Sequence, residues 1–207
     1  MVTTRDPEGT RERLLEAAFV EIHENGYTAA NMDRVVERSG VTRGALYHHF
    51  GSKKGLAQAM IDSMVRQMVV ESFVGPLAST EDPISSFLSC VNAKLDELTP
   101  EAVACGCPLN NLAQELSSTD ADFREQIEEL YARWREVLAE AFERGQAAGT
   151  VRKDVDASEV ATFMVAVLAG SAGLAKSARD VDLARSTMRV LGSYLETLRP
   201  TTSGKNA

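Results

Sequence analysis

The chain has 207 residues, enough to bury a substantial core as one domain or two small ones without covalent staples. With 44% hydrophobic and 25% charged residues it has a globular profile, and 6 prolines with 6% aromatics argue against a turn-punctuated β-sandwich. The net charge of −8 weighs against a general nucleic-acid binder, but residues 1–60 hold 8 Lys/Arg and 8 Asp/Glu, so the whole excess lies beyond them. No acid occurs between Glu37 and Asp62, where Arg38, Arg43, Lys53 and Lys54 fall. A basic surface on a small N-terminal unit joined to an acidic body is compatible with DNA binding.

The predicted elements are almost all helices. The first covers about residues 10–25, with Leu14, Leu15, Ala18, Phe19 and Ile22 at 3.6 spacing and Gly26 as its C-terminal cap. A short second helix follows Asn31 and ends at Ser39-Gly40. A third begins after the N-cap candidate Thr42. Ser52 caps a longer helix with Leu56, Met60, Ile61, Met64 and Met68 on one side, broken near Gly75-Pro76. Asp82-Pro83 opens the next helix, and Pro100 lies just beyond its end. Cys107-Pro108 starts a short helix to about residue 117. A long helix follows to near Gly149, with the stripe Phe123, Ile127, Leu130, Tyr131, Trp134, Val137, Leu138, Ala141 and Phe142. Asp156 with Glu159 resembles a capping box for an apolar helix to about residue 178, and a last helix runs over about residues 181–198.

The expected fold is all-α, with about nine helices and no convincing strand. Residues 1–55 are expected to form a three-helix helix-turn-helix unit, 56–199 a helical bundle, and 200–207 a disordered tail. The longest uncharged run, residues 160–175, is shorter than the roughly 20 residues of a membrane span, so no membrane partner is expected. Three cysteines and the polar start MVTTRDPEGT point to a reducing cytoplasm.

The third helix has the composition of a DNA reader. It is short, so its first residues can enter a major groove. Arg43 could bind a guanine edge, Gly44 permits close approach to a phosphate, and Tyr47, His48 and His49 have polar tips. Leu46 and Phe50 would anchor it, and Lys53 stands at the start of the next helix, where free N–H groups favour a phosphate. Adjacent His48 and His49 point about 100° apart and are not read as a metal site.

The run from Asp33 to Lys54, DRVVERSGVTRGALYHHFGSKK, resembles the DNA-binding signature of TetR-type transcriptional regulators, over roughly residues 10–56. The remainder is similar to that family only in length, helix count and order. The resemblance implies a homodimeric, usually ligand-released repressor. It places Thr28, Thr42, Tyr47 and Lys53 at phosphates and Arg43, Gly44 and His48 at or near bases. Asn31 stands where the family more often has Thr, and Asn caps a helix as well.

In the body, Ala166, Ala169, Gly170 and Gly173 are small enough for a partner helix to approach closely. Val167, Leu168, Leu174, Met188, Leu191, Tyr194, Leu195 and Leu198 add apolar area. The resemblance favours a four-helix dimer interface of the last two helices; packing inside the monomer is the alternative. Candidate pocket residues are Phe87, Val91, Cys107, Leu112, Glu115, Tyr131, Trp134 and Phe163, although aromatics at this spacing also suit a plain core. Cys107 at a helix N-cap could have a lowered pKa, and its Gly-Cys segment is similar to that of the N-ethylmaleimide-reductase repressor subgroup. Cys105 and Cys107 could equally be small buried hydrophobes. No catalytic constellation, phosphate loop, cofactor site or metal site is read from the sequence. The functional reading is a sequence-specific homodimeric repressor on a palindromic double-stranded operator, released by a small-molecule inducer. A redox or electrophile switch at Cys107 is the alternative, and the same DNA contacts would also serve an activator.

Overall fold

The computed structural model describes residues 7–201, and the expected disordered tail lies outside the described residues from 202 onward. Among the described residues there are nine helices of eight residues or more, a tenth of six, and no strand. Contacts divide the chain into two compact units. One runs up to Met68 and includes Asn111–Ile127; the other comprises Val69–Asn110 and the chain from Glu128 onward. The expected boundary at residue 55 is thus not where the compact units divide.

In the first unit, α1 (Pro7–Asn25) buries Leu14, Leu15, Ala18 and Ile22 as their spacing predicts. It packs against α2 (Met32–Ser39) and the start of α4 (residues 53–77). Asn31 caps α2 by accepting the Asp33 N–H at 2.8 Å. Gly40 ends α2 at φ 63°, a left-handed conformation that a side chain would disfavour. Two residues later Thr42 caps α3 (Arg43–Phe50) through the Ala45 N–H, and Ser52 caps α4 through the Gly55 N–H. The tight connection between α3 and α4 explains Gly55. A Cβ there would lie 2.2 Å from the Phe50 carbonyl oxygen. Helix α4 is interrupted by two π-helical stretches, Ile61–Val65 and Val70–Val74.

The remaining helices are α5 (Pro83–Asp96), α6 (Pro100–Cys105), α7 (Pro108–Leu116), α8 (Ala121–Ala148), α9 (Ala157–Ala178) and α10 (Val181–Glu196). The divisions between units fall inside α4, α7 and α8. Helix α6 departs from expectation. Pro100 does not merely follow a helix but opens one, with Thr99 capping through the Ala102 N–H. In the second unit α9 packs on α10 and α6, and α10 on α5. By length and composition alone, α9 is apolar enough to cross a membrane, which the shorter uncharged run inside it did not suggest. Its inner side buries Val160, Ala161, Met164, Val165 and Ala175.

Gly55→Ala is expected to lower stability by about 1–3 kcal/mol through the backbone clash. Gly44→Ala, at an exposed position with open space around its Cβ, should stay within ~0.5 kcal/mol of the original. Denaturant midpoints of the two variants would check the contrast.

Candidate functional site

Helix α3 is held from one side only. Leu46 is fully buried and Phe50 half-buried, whereas Thr42, Arg43, Gly44, Tyr47 and His48 are exposed. Arg43 forms an ion pair with Asp33 at 2.7 Å and lies 5.9 Å from the Tyr47 ring. Both partners of that pair are largely exposed, so it is weak and Arg43 can exchange Asp33 for another acceptor at little cost. Thr42 is committed as a helix cap.

The two other expected contacts, Thr28 in the connection between α1 and α2 and Lys53 at the start of α4, lie together. Thr28 is exposed. The Lys53 ammonium donates to the carbonyls of Thr28 (3.1 Å) and Ala30 (2.7 Å) and lies 5.0 Å from the Tyr27 ring. Lys53 therefore fixes the turn that presents Thr28, as well as standing at the start of α4.

Two carboxylates hold this turn from other directions. Glu21 is buried in α1 and accepts the Asn31 N–H at 3.0 Å, with Arg34 and Arg38 at 3.6 and 3.9 Å. Glu115 in α7 accepts the N–H groups of Tyr27 at 2.8 Å and Thr28 at 2.6 Å. Burial alone would raise the Glu115 pKa. The donors of Thr28 and Tyr27, with Lys53 nearby, outweigh it and hold the carboxyl below its ordinary value. Lys54 adds ion pairs to Asp120 at 2.7 Å and Asp122 at 2.8 Å, and the Gln126 side chain donates to the Gln58 carbonyl.

Of the pocket candidates, Leu112 and Glu115 fall in the first unit; Phe87, Val91, Cys107, Tyr131, Trp134 and Phe163 fall in the second. Glu115 is engaged by the turn rather than free for a cationic ligand. Phe163 is 46% exposed and meets Tyr194 edge-on at 5.0 Å, so it belongs to the outer side of α9. Phe87, Val91 and Trp134 are buried, with Phe73 linking Phe87 to Trp134 by ring contacts at 6.1 and 4.9 Å.

The dimer candidates also divide. Ala166, Gly170, Leu174 and Tyr194 are exposed, and Ala169 and Gly173 half-buried. Leu191, Leu195 and Leu198 are buried within the chain's own core, as is Met188, and are corrected to packing residues. Val190, 70% exposed, was not anticipated.

The family model "Bacterial regulatory proteins, tetR family" matches residues 14–60, and "Tetracyclin repressor-like, C-terminal domain" matches residues 86–191, half of the chain. The chain belongs to the TetR family.

This TetR-family protein is a DNA-binding transcriptional regulator, not an enzyme. It is 26% identical over 187 residues to the uncharacterized HTH-type transcriptional regulator in the lacX 3′ region of Lactococcus lactis subsp. lactis, covering 90% of this chain and 93% of that protein. A TetR transcriptional regulator from Chloroflexus aurantiacus J-10-fl matches at 27% identity and TM-score 0.80, covering 93% and 97% of the two chains. Reduced NemR from E. coli shares the fold at TM-score 0.76 and 19% identity, covering 93% and 99%.

For this TetR-family chain the surroundings of Cys107 do not support the switch read there. Cys107 does sit at the start of α7, facing the N–H groups of Asn110 and Leu109. Burial nevertheless dominates and raises the thiol pKa, so the thiolate that reacts with electrophiles is suppressed.

Sequence reading missed Glu21 and the role of Glu115. An acid three residues beyond Ala18 on the apolar face of α1 was the available signal for Glu21. Glu115 had none, because its partners are backbone groups 87 and 88 residues away.

Glu115→Gln is expected to cost about 1–3 kcal/mol at neutral pH, since it removes charge-assisted hydrogen bonds. The folded pKa lies below the unfolded one. This stabilisation is therefore present above the ordinary glutamate value of about 4.5 and disappears as pH falls through the folded pKa. Denaturant unfolding from pH 7 down to 3 should show a shallower acid loss in the variant than in the original chain.

Proposed function

We propose that the protein is a homodimeric repressor. Each α3 enters a major groove of a near-palindromic operator, and a small molecule bound in the body releases the DNA. The observation that carries the reading is α3 itself. Its only fully buried side chain is Leu46, and the residues expected to touch DNA are left outward. One such helix makes few contacts, so tight binding calls for a second copy related by two-fold symmetry. DNA reading belongs in this scheme to residues up to about 55, and ligand binding and dimerisation to 56–199.

The outer stripe of α9 and α10 supports the dimer. Phe163, Ala166, Gly170 and Leu174 follow one another at helical spacing on α9, beside Val190 and Tyr194 of α10. Leu174 is 60% exposed, and a large apolar side chain so placed gains by burial against a partner. Release requires an inducer that binds better to the conformation whose recognition helices are wrongly spaced. Helix α4 supplies the path, because it starts at Lys53 and runs on through the π-helical stretch Ile61–Val65 into the second unit. The regulator is read as cytoplasmic.

The test is selection of bound sequences from a random DNA pool at fixed, near-physiological salt. A short inverted repeat is the expected result; absence of enrichment would count against the operator reading. On the selected operator, Tyr47→Ala should weaken binding to all sequences alike. Arg43→Ala should relax preference at one base pair, losing about 1–3 kcal/mol of discrimination. Leu174→Glu should fold normally yet sediment as a monomer at micromolar concentration. A variant that remained dimeric would count against this face as the interface.

A further inference from the structure

We propose that the second compact unit binds a flat, uncharged aromatic molecule bearing a hydrogen-bond acceptor, and that the indole N–H of Trp134 donates to that acceptor. The proposal rests on the inducer reading above and names the chemical class of that ligand.

The first observation is an orphan donor. Trp134 is only 5% exposed, and its Nε1 has no hydrogen-bond partner among the described residues. Nearly all buried donors in folded proteins are paired, so an unpaired one calls for an acceptor from outside the chain. The indole also lies among aromatic rings. Phe73 lies 4.9 Å from it with ring planes 31° apart, and Phe87 continues the series 6.1 Å beyond with planes 28° apart. These buried rings give the unpaired donor an entirely apolar, aromatic surround, into which a planar molecule would fit by packing against rings.

The second observation concerns Tyr131 and Cys107. Tyr131 precedes Trp134 by three residues on α8, so the two share a face of that helix. Tyr131 and Cys107 are close enough for their charges to interact. Burial raises the pKa of both groups, yet both keep accessible surface.

The chemistry of these surroundings selects the ligand. Phenol and thiol are both protonated at neutral pH, and the aromatic residues carry no charge. The acid that acts on Tyr131, Glu128, is itself exposed to solvent. An ionised ligand would lose its water without gaining a counter-charge, whereas a neutral one gains aromatic packing and one directed hydrogen bond.

The test uses the full-length protein and two probes of nearly equal shape, 2-acetylnaphthalene and 2-ethylnaphthalene. Trp134 is the chain's one tryptophan, so a ¹⁵N-labelled sample has a single indole N–H signal. The ketone is expected to move that signal downfield and to bind about tenfold more tightly than the ethyl compound by calorimetry. In Trp134→Phe, which keeps a ring and removes the donor, the preference should fall to about one. The probe pair on the unaltered chain carries the test even where the variant fails to fold. Equal affinity for the two probes, no binding of either, or an indole signal unmoved by saturating ketone would overturn the proposal.

Operator affinity, followed in parallel by fluorescence anisotropy, separates this inference from the inducer reading. If 2-naphthoate released the operator while the ketone left the indole signal unmoved, the ligand class would fail and induction would stand. If the ketone moved the signal but no compound altered operator affinity, the binding site would stand and induction would fail.

Discussion

An eight-residue helix is too short to hold its own shape in water, and α3 depends on what its neighbours supply. Leu46 gives it one deep anchor, Thr42 satisfies a free N–H at its start, and the approach of α4 at Gly55 sets how it leaves. These constraints all act from the inner side or from the ends. The outward residues are therefore released from packing and can be chosen for DNA. An anchor on two sides would have stiffened the helix at the expense of the surface it presents.

The same logic extends to the turn before α2. Backbone groups in a turn have no ladder or helix partners of their own and must find others. Here Glu21, Glu115 and Lys53 share the task, two carboxylates accepting N–H groups and one ammonium donating to carbonyls. Ionised partners shorten and strengthen these bonds, which holds the turn's backbone firmly. Because Glu115 belongs to α7, a displacement of that helix would be felt at this turn as the loss of two hydrogen bonds.

The second unit divides its apolar residues between two tasks. Leu191, Leu195 and Met188 face the chain's own core, while Val190, Tyr194, Leu174 and Phe163 face outward. Neighbouring positions on α10 thus have opposite fates, which hydrophobicity alone does not distinguish. The aromatic residues inside, Phe73, Phe87 and Trp134, pack as a core does, apart from one buried N–H with no partner among the described residues.

The sequence by itself determined the all-helical class, the caps Asn31, Thr42, Ser52, Asp82 and Asp156, the turn at Gly40 and the outward residues of α3. These are local properties, set within one or two helical turns by spacing, capping chemistry and the allowed backbone of glycine. Helix α6 escaped because Pro100 signals both an end and a beginning. Tertiary structure alone decided the rest. It decided that Glu115 would clamp a turn more than eighty residues away, that Arg43 would rest against Asp33, and that Leu191, Leu195 and Leu198 would be core. It also decided that burial would override the helix N-terminus at Cys107. Each of these depends on which surfaces the folded chain brings together, and the periodicity of one helix carries no record of its neighbours.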